Sequence, residues 1–366
     1  MRGEKVSVSP FEKAVRGVAG CAASYNPGGV VLNDHFIAHL DSLSGEELHR
    51  LSWVVDENRV VVPVYEALNL HDSPAASALR DLLEPVVHRV VERGRCRDRL
   101  LGRLVNVLDD HGIEYAVFKT LSRLGSVGVD IDVIIEPMSY EVCIGALLAD
   151  DFISIDDLSK RYATGFMVEG NPIVVDLHTE LAVLGVRYMS SDLLLGRKRR
   201  VMVQPCDSSG CFALNVPDEA VDALVRIAHC VLKEGTISMD DVAETSYVLA
   251  GNLDLLVSYM DEENLRLTGS IFSYAALQTL SVEQFKPLIM FEEDLTHNLA
   301  KNILANSITT TIPPVKLPVA TCMLAFLDSL RGKGEISMCM PRLIRNIGFR
   351  RNAAHLGRRI LESLFR

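Results

Sequence analysis

Seven residues, Val129 to Ile135, constrain this chain more than any others. They read Val-Asp-Ile-Asp-Val-Ile-Ile, an apolar and largely β-branched run with two carboxylates inside it. Such a composition favours a strand. Residues two apart in a strand share a face, so Asp130 and Asp132 stand side by side while Val129, Ile131 and Val133 face the opposite way. Like charges on a buried surface are costly unless a cation neutralises them. Chemistry therefore explains this strand better than packing does.

A third acid repeats the pattern. Ile173 to His178 is another apolar run, and it contains Asp176. Three carboxylates on neighbouring strands suit a pair of divalent cations about 4 Å apart. Oxygen ligands select Mg²⁺ or Mn²⁺ over zinc. Asp176 has two readings: a third ligand that also draws the proton from an attacking hydroxyl, or an acid that turns the chain. Val174, Val175 and Leu177 around it argue against the turn. His178 shares its face and either orients the site or serves the structure through a hydrogen bond.

The surrounding pattern places these strands. Ile113 to Phe118 reads as a strand after a helix over Arg99 to His111 that stops at Gly112. Met138 to Asp150 reads as a helix with Val142, Leu147 and Leu148 inward, and Phe152 to Ile155 as a strand. The turn Glu169-Gly170-Asn171-Pro172 predicts that Tyr162–Val168 and Ile173–Leu177 pair as a hairpin. That hairpin carries Asp176 back to the other two acids.

Between the first two strands lies Lys119 to Gly128, rich in hydroxyls, basic groups and glycine. Its backbone N–H groups can cradle phosphate, with Lys119, Thr120, Ser122 and Arg123 as nucleotide contacts. Taken alone the loop is an exposed hairpin connection; beside the paired acids, phosphate contact is the favoured expectation.

Three segments, Phe118-Lys119-Thr120, Asp130-Ile131-Asp132 and Val175-Asp176-Leu177-His178, resemble the nucleotidyltransferase superfamily that includes DNA polymerase beta. The resemblance is closest to its stand-alone nucleotidyltransferase family proteins. It extends through Val216 to His229 and Ile237 to Asp241, covering about residues 111 to 250. It implies an α+β chain with a nucleotidyltransferase-type mixed sheet flanked by helical N- and C-terminal regions. It also implies Mg²⁺ (or Mn²⁺) on Asp130, Asp132 and Asp176, and transfer of an NMP from an NTP such as ATP. The acceptor hydroxyl would belong to RNA or tRNA, a protein or a small molecule. A module of the same fold that binds nucleotide or RNA with impaired catalysis is the alternative. The chain departs from the family pattern at Lys119-Thr120, where the family carries a glycine after the first strand. Thr120 does not share glycine's freedom at positive φ.

The flanks complete a three-part division: residues 1–110 helical, 111–205 catalytic, and 206–366 helical with a basic tail. Pro63, Pro74 and Pro85 punctuate the first part. In the last, Pro217 starts one helix, with Arg226 and His229 on it, and Ser238 precedes another, where Asp240 and Asp241 complement the helix dipole. A formal charge of −11 keeps the whole molecule from attracting polyanions, so RNA contact falls to local basic runs. These are the arginines of 89–103, Arg197-Lys198-Arg199-Arg200, and the arginines beyond Pro341. Each also reads as a solvated or self-docked face. No Cys-x-x-Cys pair occurs among eight cysteines, which favours a reducing, cytoplasmic setting. No apolar run is long enough for a signal peptide core or a membrane span.

Overall fold

The computed structural model describes residues 9–25, 34–155, 163–183, 186–205, 210–280, 282–308 and 313–332. The arginine-rich tail beyond Pro341 lies outside them. The chain is α+β with a mixed sheet.

Five helices come first: α1 (Pro10–Ser24), α2 (Asp34–Leu40), α3 (Gly45–Glu57), α4 (Val61–Leu68) and α5 (Pro74–Asp110). Serines start them. Ser9 and Ser44 form reciprocal caps with Glu12 and Glu47, and Ser73 accepts from the Ala76 N–H. Of the expected proline breaks, Pro74 does sit at a helix start, but Pro63 lies in α4 and Pro85 inside α5. Helix α5 runs about 55 Å at 1.5 Å per residue. Its two halves serve different cores, which is why it continues through the proline. Ala76, Leu79 and Leu83 pack among the helices, whereas Leu100, Leu101, Leu104 and Leu108 pack under the sheet.

The sheet follows: β1 (Tyr115–Phe118), β2 (Asp130–Ile135), α6 (Tyr140–Ala149), β3 (Ile153–Ser154), β4 (Ala163–Met167) and β5 (Val174–His178). The strand order is β1, β2, β5, β4, β3. β4 and β5 pair antiparallel, as the turn at Gly170 predicts, and β5 then lies parallel to β2. Ile131, Val133 and Ile135 are fully buried against α5 and α6, each contributing roughly 1.5–3 kcal/mol by leaving water. The face of α6 differs from expectation. Leu147 is buried, but Val142 and Leu148 are exposed; Tyr140, Cys143 and Ile144 face inward instead. The helix is apolar on nearly every side, so periodicity does not select a face.

A short hairpin of β6 (Leu181–Val183) and β7 (Val186–Met189) leads to α7 (Ser191–Gly196). Then β8 (Lys198–Val203) pairs with β9 (Phe212–Pro217). Pro217, expected to start a helix, instead ends a strand, and Asp218 caps the helix that follows. That helix is α8 (Glu219–Ala228), continued by a π-helical turn His229–Glu234. After β10 (Thr236–Ile237) come α9 (Met239–Glu262), α10 (Arg266–Leu280), α11 (Leu295–Ser307), β11 (Val315–Lys316) and α12 (Val319–Gly332). Ser238 and Asp241 cap α9 reciprocally. Helices from both ends of the chain share one core with the sheet's second face, through Ala116, Phe118 and Ile134. Among the described residues no helix is long and apolar enough to cross a membrane.

Candidate functional site

The parallel register sets Asp132 directly opposite Asp176 on the face turned toward the shared helical core. Ile134 pairs with His178 one pleat on, so the imidazole lies on the same face. Ligand atoms of Asp132, Asp176 and His178 come within 4.8 Å of one another. Asp130 stands on that face too, one pleat toward the strand's start, but outside this spacing. The trio that gathers most tightly is therefore two aspartates and a histidine. Gly128 makes room for Asp130: a Cβ there would lie 3.3 Å from its Oδ1.

Asp132 is 5% exposed and both its oxygens are engaged. Lys119 Nζ lies 3.0 Å from Oδ2, and His178 Nε2 lies 3.1 Å from Oδ1. Burial alone would favour the protonated acid, but the Lys119 ammonium and the His178 hydrogen bond hold its carboxyl well below the usual carboxylate range. Asp130 moves the other way: burial, then the charges of Asp132 and Asp176, raise it. The ring of Phe118 tilts against His178 at 5.6 Å and fixes the imidazole.

Lys119 reaches Asp132 from an unusual backbone. Its φ is +56°, in the left-handed region that glycine favours. The position demanding that conformation is thus Lys119 and not Thr120. Helix α8 holds it there. The Lys119 N–H donates to Asp222 Oδ1 at 2.7 Å, and its C=O accepts from Arg226 Nη2 at 2.9 Å. Arg226 Nε in turn lies 3.0 Å from Asp222 Oδ2, one helical turn away. Neither role is visible in the sequence beyond the i, i+4 spacing of the pair.

The other expected nucleotide contacts are already used inside the protein. The Thr120 hydroxyl is buried; it donates to Phe118 C=O at 3.1 Å and accepts from the Asp132 N–H at 3.2 Å. The Ser122 hydroxyl and the Arg123 N–H both donate to Glu244 Oε1, each at 2.7 Å. The Leu124 N–H points at the same oxygen from 3.3 Å, and Arg123 Nε lies 3.5 Å from Oε2. The turn is an anion nest, as its composition suggested, but the anion is a carboxylate from α9. No local sequence signal announces Glu244, which is more than a hundred residues away.

A cleft of about 510 Å³ opens in front of Asp130 and Asp132, with Asp176 and His178 set behind its lining. Asp130 and Asp132 form one wall, Arg59 and Val61 another, and His229 and Asp240 a third. Seven lining carboxylates oppose four lining cations, which suits divalent cations better than a bare polyanion. Burial, then Lys119 and Lys233, push His229 down, so a neutral imidazole faces the cleft. Asp240 does more than complement a dipole. It is 2% exposed, accepts from the Ser126 hydroxyl at 2.9 Å, and lies 3.6 Å from Arg59 Nε. Burial pushes it up to about 6.

Most cations of the two described basic runs are matched by acids. Lys198 pairs with Glu114, Arg199 with Glu219 and Arg200 with Asp109. On α5, Arg89, Arg95, Arg97 and Arg103 meet Asp56, Glu92, Asp98 and Asp150. A second group of metal-type ligands, Glu292, Asp294 and His297, is accounted for by helix capping. Asp294 Oδ1 accepts from the His297 N–H, and His297 Nδ1 from the Glu292 N–H. The described cysteines are free thiols. No protein-family model, curated protein or solved structure matches this chain.

Proposed function

We propose that the chain is a metal-dependent nucleotidyltransferase, moving an NMP from an NTP to an acceptor hydroxyl. One observation carries the reading: Asp132 and Asp176 lie abreast on adjacent parallel strands, with Asp130 on the same face, and Asp130 and Asp132 line a cleft large enough for a nucleotide. The donor set supports Mg²⁺ or Mn²⁺, because carboxylate oxygens predominate. Bound divalent cations would polarise the α-phosphoryl group and offset charge on the attacking and leaving oxygens. The remaining work belongs to the chain. Asp130, Asp132 and Asp176 hold the cations, and His178 orients the Asp132 carboxylate through Oδ1. Asp176 accepts the proton of the acceptor hydroxyl, while Lys119 supplies positive charge to the phosphates. Most of the rate then comes from positioning and charge.

A second reading is a nucleotide-binding module without turnover. It is favoured by the partners already on Asp132 and by the Glu244 carboxylate in the loop expected to take phosphate. Incubation with each α-labelled NTP, Mg²⁺ and total RNA separates the two. Transfer of label to RNA or to the protein itself, with pyrophosphate release that Asp132→Asn abolishes, supports the transferase. NTP binding with no transfer and no pyrophosphate supports the module.

A further inference from the structure

The side chain of Lys119 and its backbone are held by different partners. Asp222 and Arg226 fix the peptide groups on either side of its Cα. Among the described residues the ammonium is held through Asp132 Oδ2, at 3.0 Å, and it lies over the Phe118 ring, 5.9 Å from its centroid. Asp132 Oδ1 faces His178, so Oδ2 is the oxygen through which the central carboxylate of the site meets a cation. A divalent cation takes a carboxylate oxygen at about 2.0–2.2 Å. An ammonium hydrogen-bonded to that same oxygen would face the ion at close range and be repelled. The backbone clamp leaves a rotation of the side chain as the route out, and Lys119 borders both the main cleft and an adjoining pocket of about 280 Å³.

We infer that the Lys119 ammonium is a placeholder for a divalent cation on Asp132, displaced when the metal binds and then free to meet the phosphates of a nucleoside triphosphate. This deepens, and rests on, the nucleotidyl-transfer reading. Its consequence is coupling. Metal binding must break one ion pair, and nucleotide binding offers the released ammonium a new one, so each ligand strengthens the other. Replacing the lysine removes both the obstacle and the reward.

The test is a titration with Mn²⁺ alone, following free Mn²⁺ by its electron paramagnetic resonance signal. Wild type, Lys119→Met, Lys119→Arg and Asp132→Asn are compared, with Lys119→Gln as a second neutral variant. Loss of the ammonium should tighten Mn²⁺ binding by about tenfold or more, within the usual range of coupling between ligands. Lys119→Arg should match wild type, and Asp132→Asn should lose the site. At saturating Mn²⁺, dialysis with a non-hydrolysable ATP analogue should show weaker binding to both neutral variants. If those variants bind Mn²⁺ no better than wild type while Asp132→Asn abolishes binding, the placeholder role is overturned and the metal site stands. If none of the proteins takes up Mn²⁺, the nucleotidyl-transfer reading falls, and this inference with it.

Discussion

The Glu244 carboxylate fills the turn at Arg123: its Oε1 accepts the Arg123 N–H at 2.7 Å and its Oε2 lies 3.5 Å from the guanidinium. Removing it strands the Ser122 hydroxyl proton and the Arg123 N–H, and leaves the Leu124 N–H its 3.1 Å bond to Ser122 Oγ. Glu244→Ala should cost about 2–4 kcal/mol, as breaking a largely buried charge pair does. Glu244→Gln keeps one carbonyl acceptor and should cost about half as much. Urea unfolding midpoints measure both, and equal losses would mean that the carboxylate's charge does not matter.

Asp130 is burdened by burial and by two neighbouring carboxylates. Asp130→Asn should therefore leave stability at pH 7 unchanged or raise it by about 1 kcal/mol. The same change should abolish Mg²⁺-dependent pyrophosphate release. A variant that melts like wild type and turns over normally would remove Asp130 from the site.

Asp240 is raised to about 6 from an ordinary carboxylate value of 3.8. The folded state then binds more protons than the unfolded state between those two values. Its contribution to stability is full below about pH 4 and is lost as pH rises through about 6. Asp132, held low, contributes above the unfolded value and loses its share only as pH falls below about 4. Wild type should thus lose stability between pH 4 and 6 relative to Asp240→Asn, which keeps an acceptor for Ser126 but cannot ionise. Denaturation midpoints at pH 4, 5, 6 and 7 test the difference; parallel curves would reject it.

Two glycines make opposite predictions about packing. A Cβ on Gly17 would come within 2.7 Å of Phe36 Cδ2 and 3.1 Å of its Cα, between helices that cannot both stay in place. Gly17→Ala should cost about 1–3 kcal/mol. A Cβ on Gly269 would meet only the Met260 Sδ and Cε, at 2.7 and 2.8 Å. Methionine re-routes easily, so Gly269→Ala should cost less, about 1 kcal/mol or below. Thermal melts of the two variants rank them.

What the sequence disclosed depended on distance along the chain. The strand carrying Asp130 and Asp132, the hairpin that returns Asp176, and the helix that starts after Ser238 all follow from short patterns with a physical meaning. Asp222 and Glu244 act on Lys119 and Arg123 from helices far downstream, and no local rule links them. Helix α6 misled for a different reason, since a helix apolar all round hides its inward side. The break expected at Pro85 failed because packing on two cores outweighed one lost backbone hydrogen bond.

Leu79 and Leu83 near the start of α5 and Ile227 and Leu249 far downstream, in α8 and α9, belong to one apolar interior, together with Phe118 from the sheet. Excising residues 111–205 would therefore uncover an oily underside that nothing in the excised piece can shield. Such a truncation should aggregate or bind hydrophobic dyes, whereas the acids on its rim would need the absent helices to keep Lys119 aimed at them. The smallest unit that folds is set by that shared interior, and trimming toward the acidic strands would dismantle it.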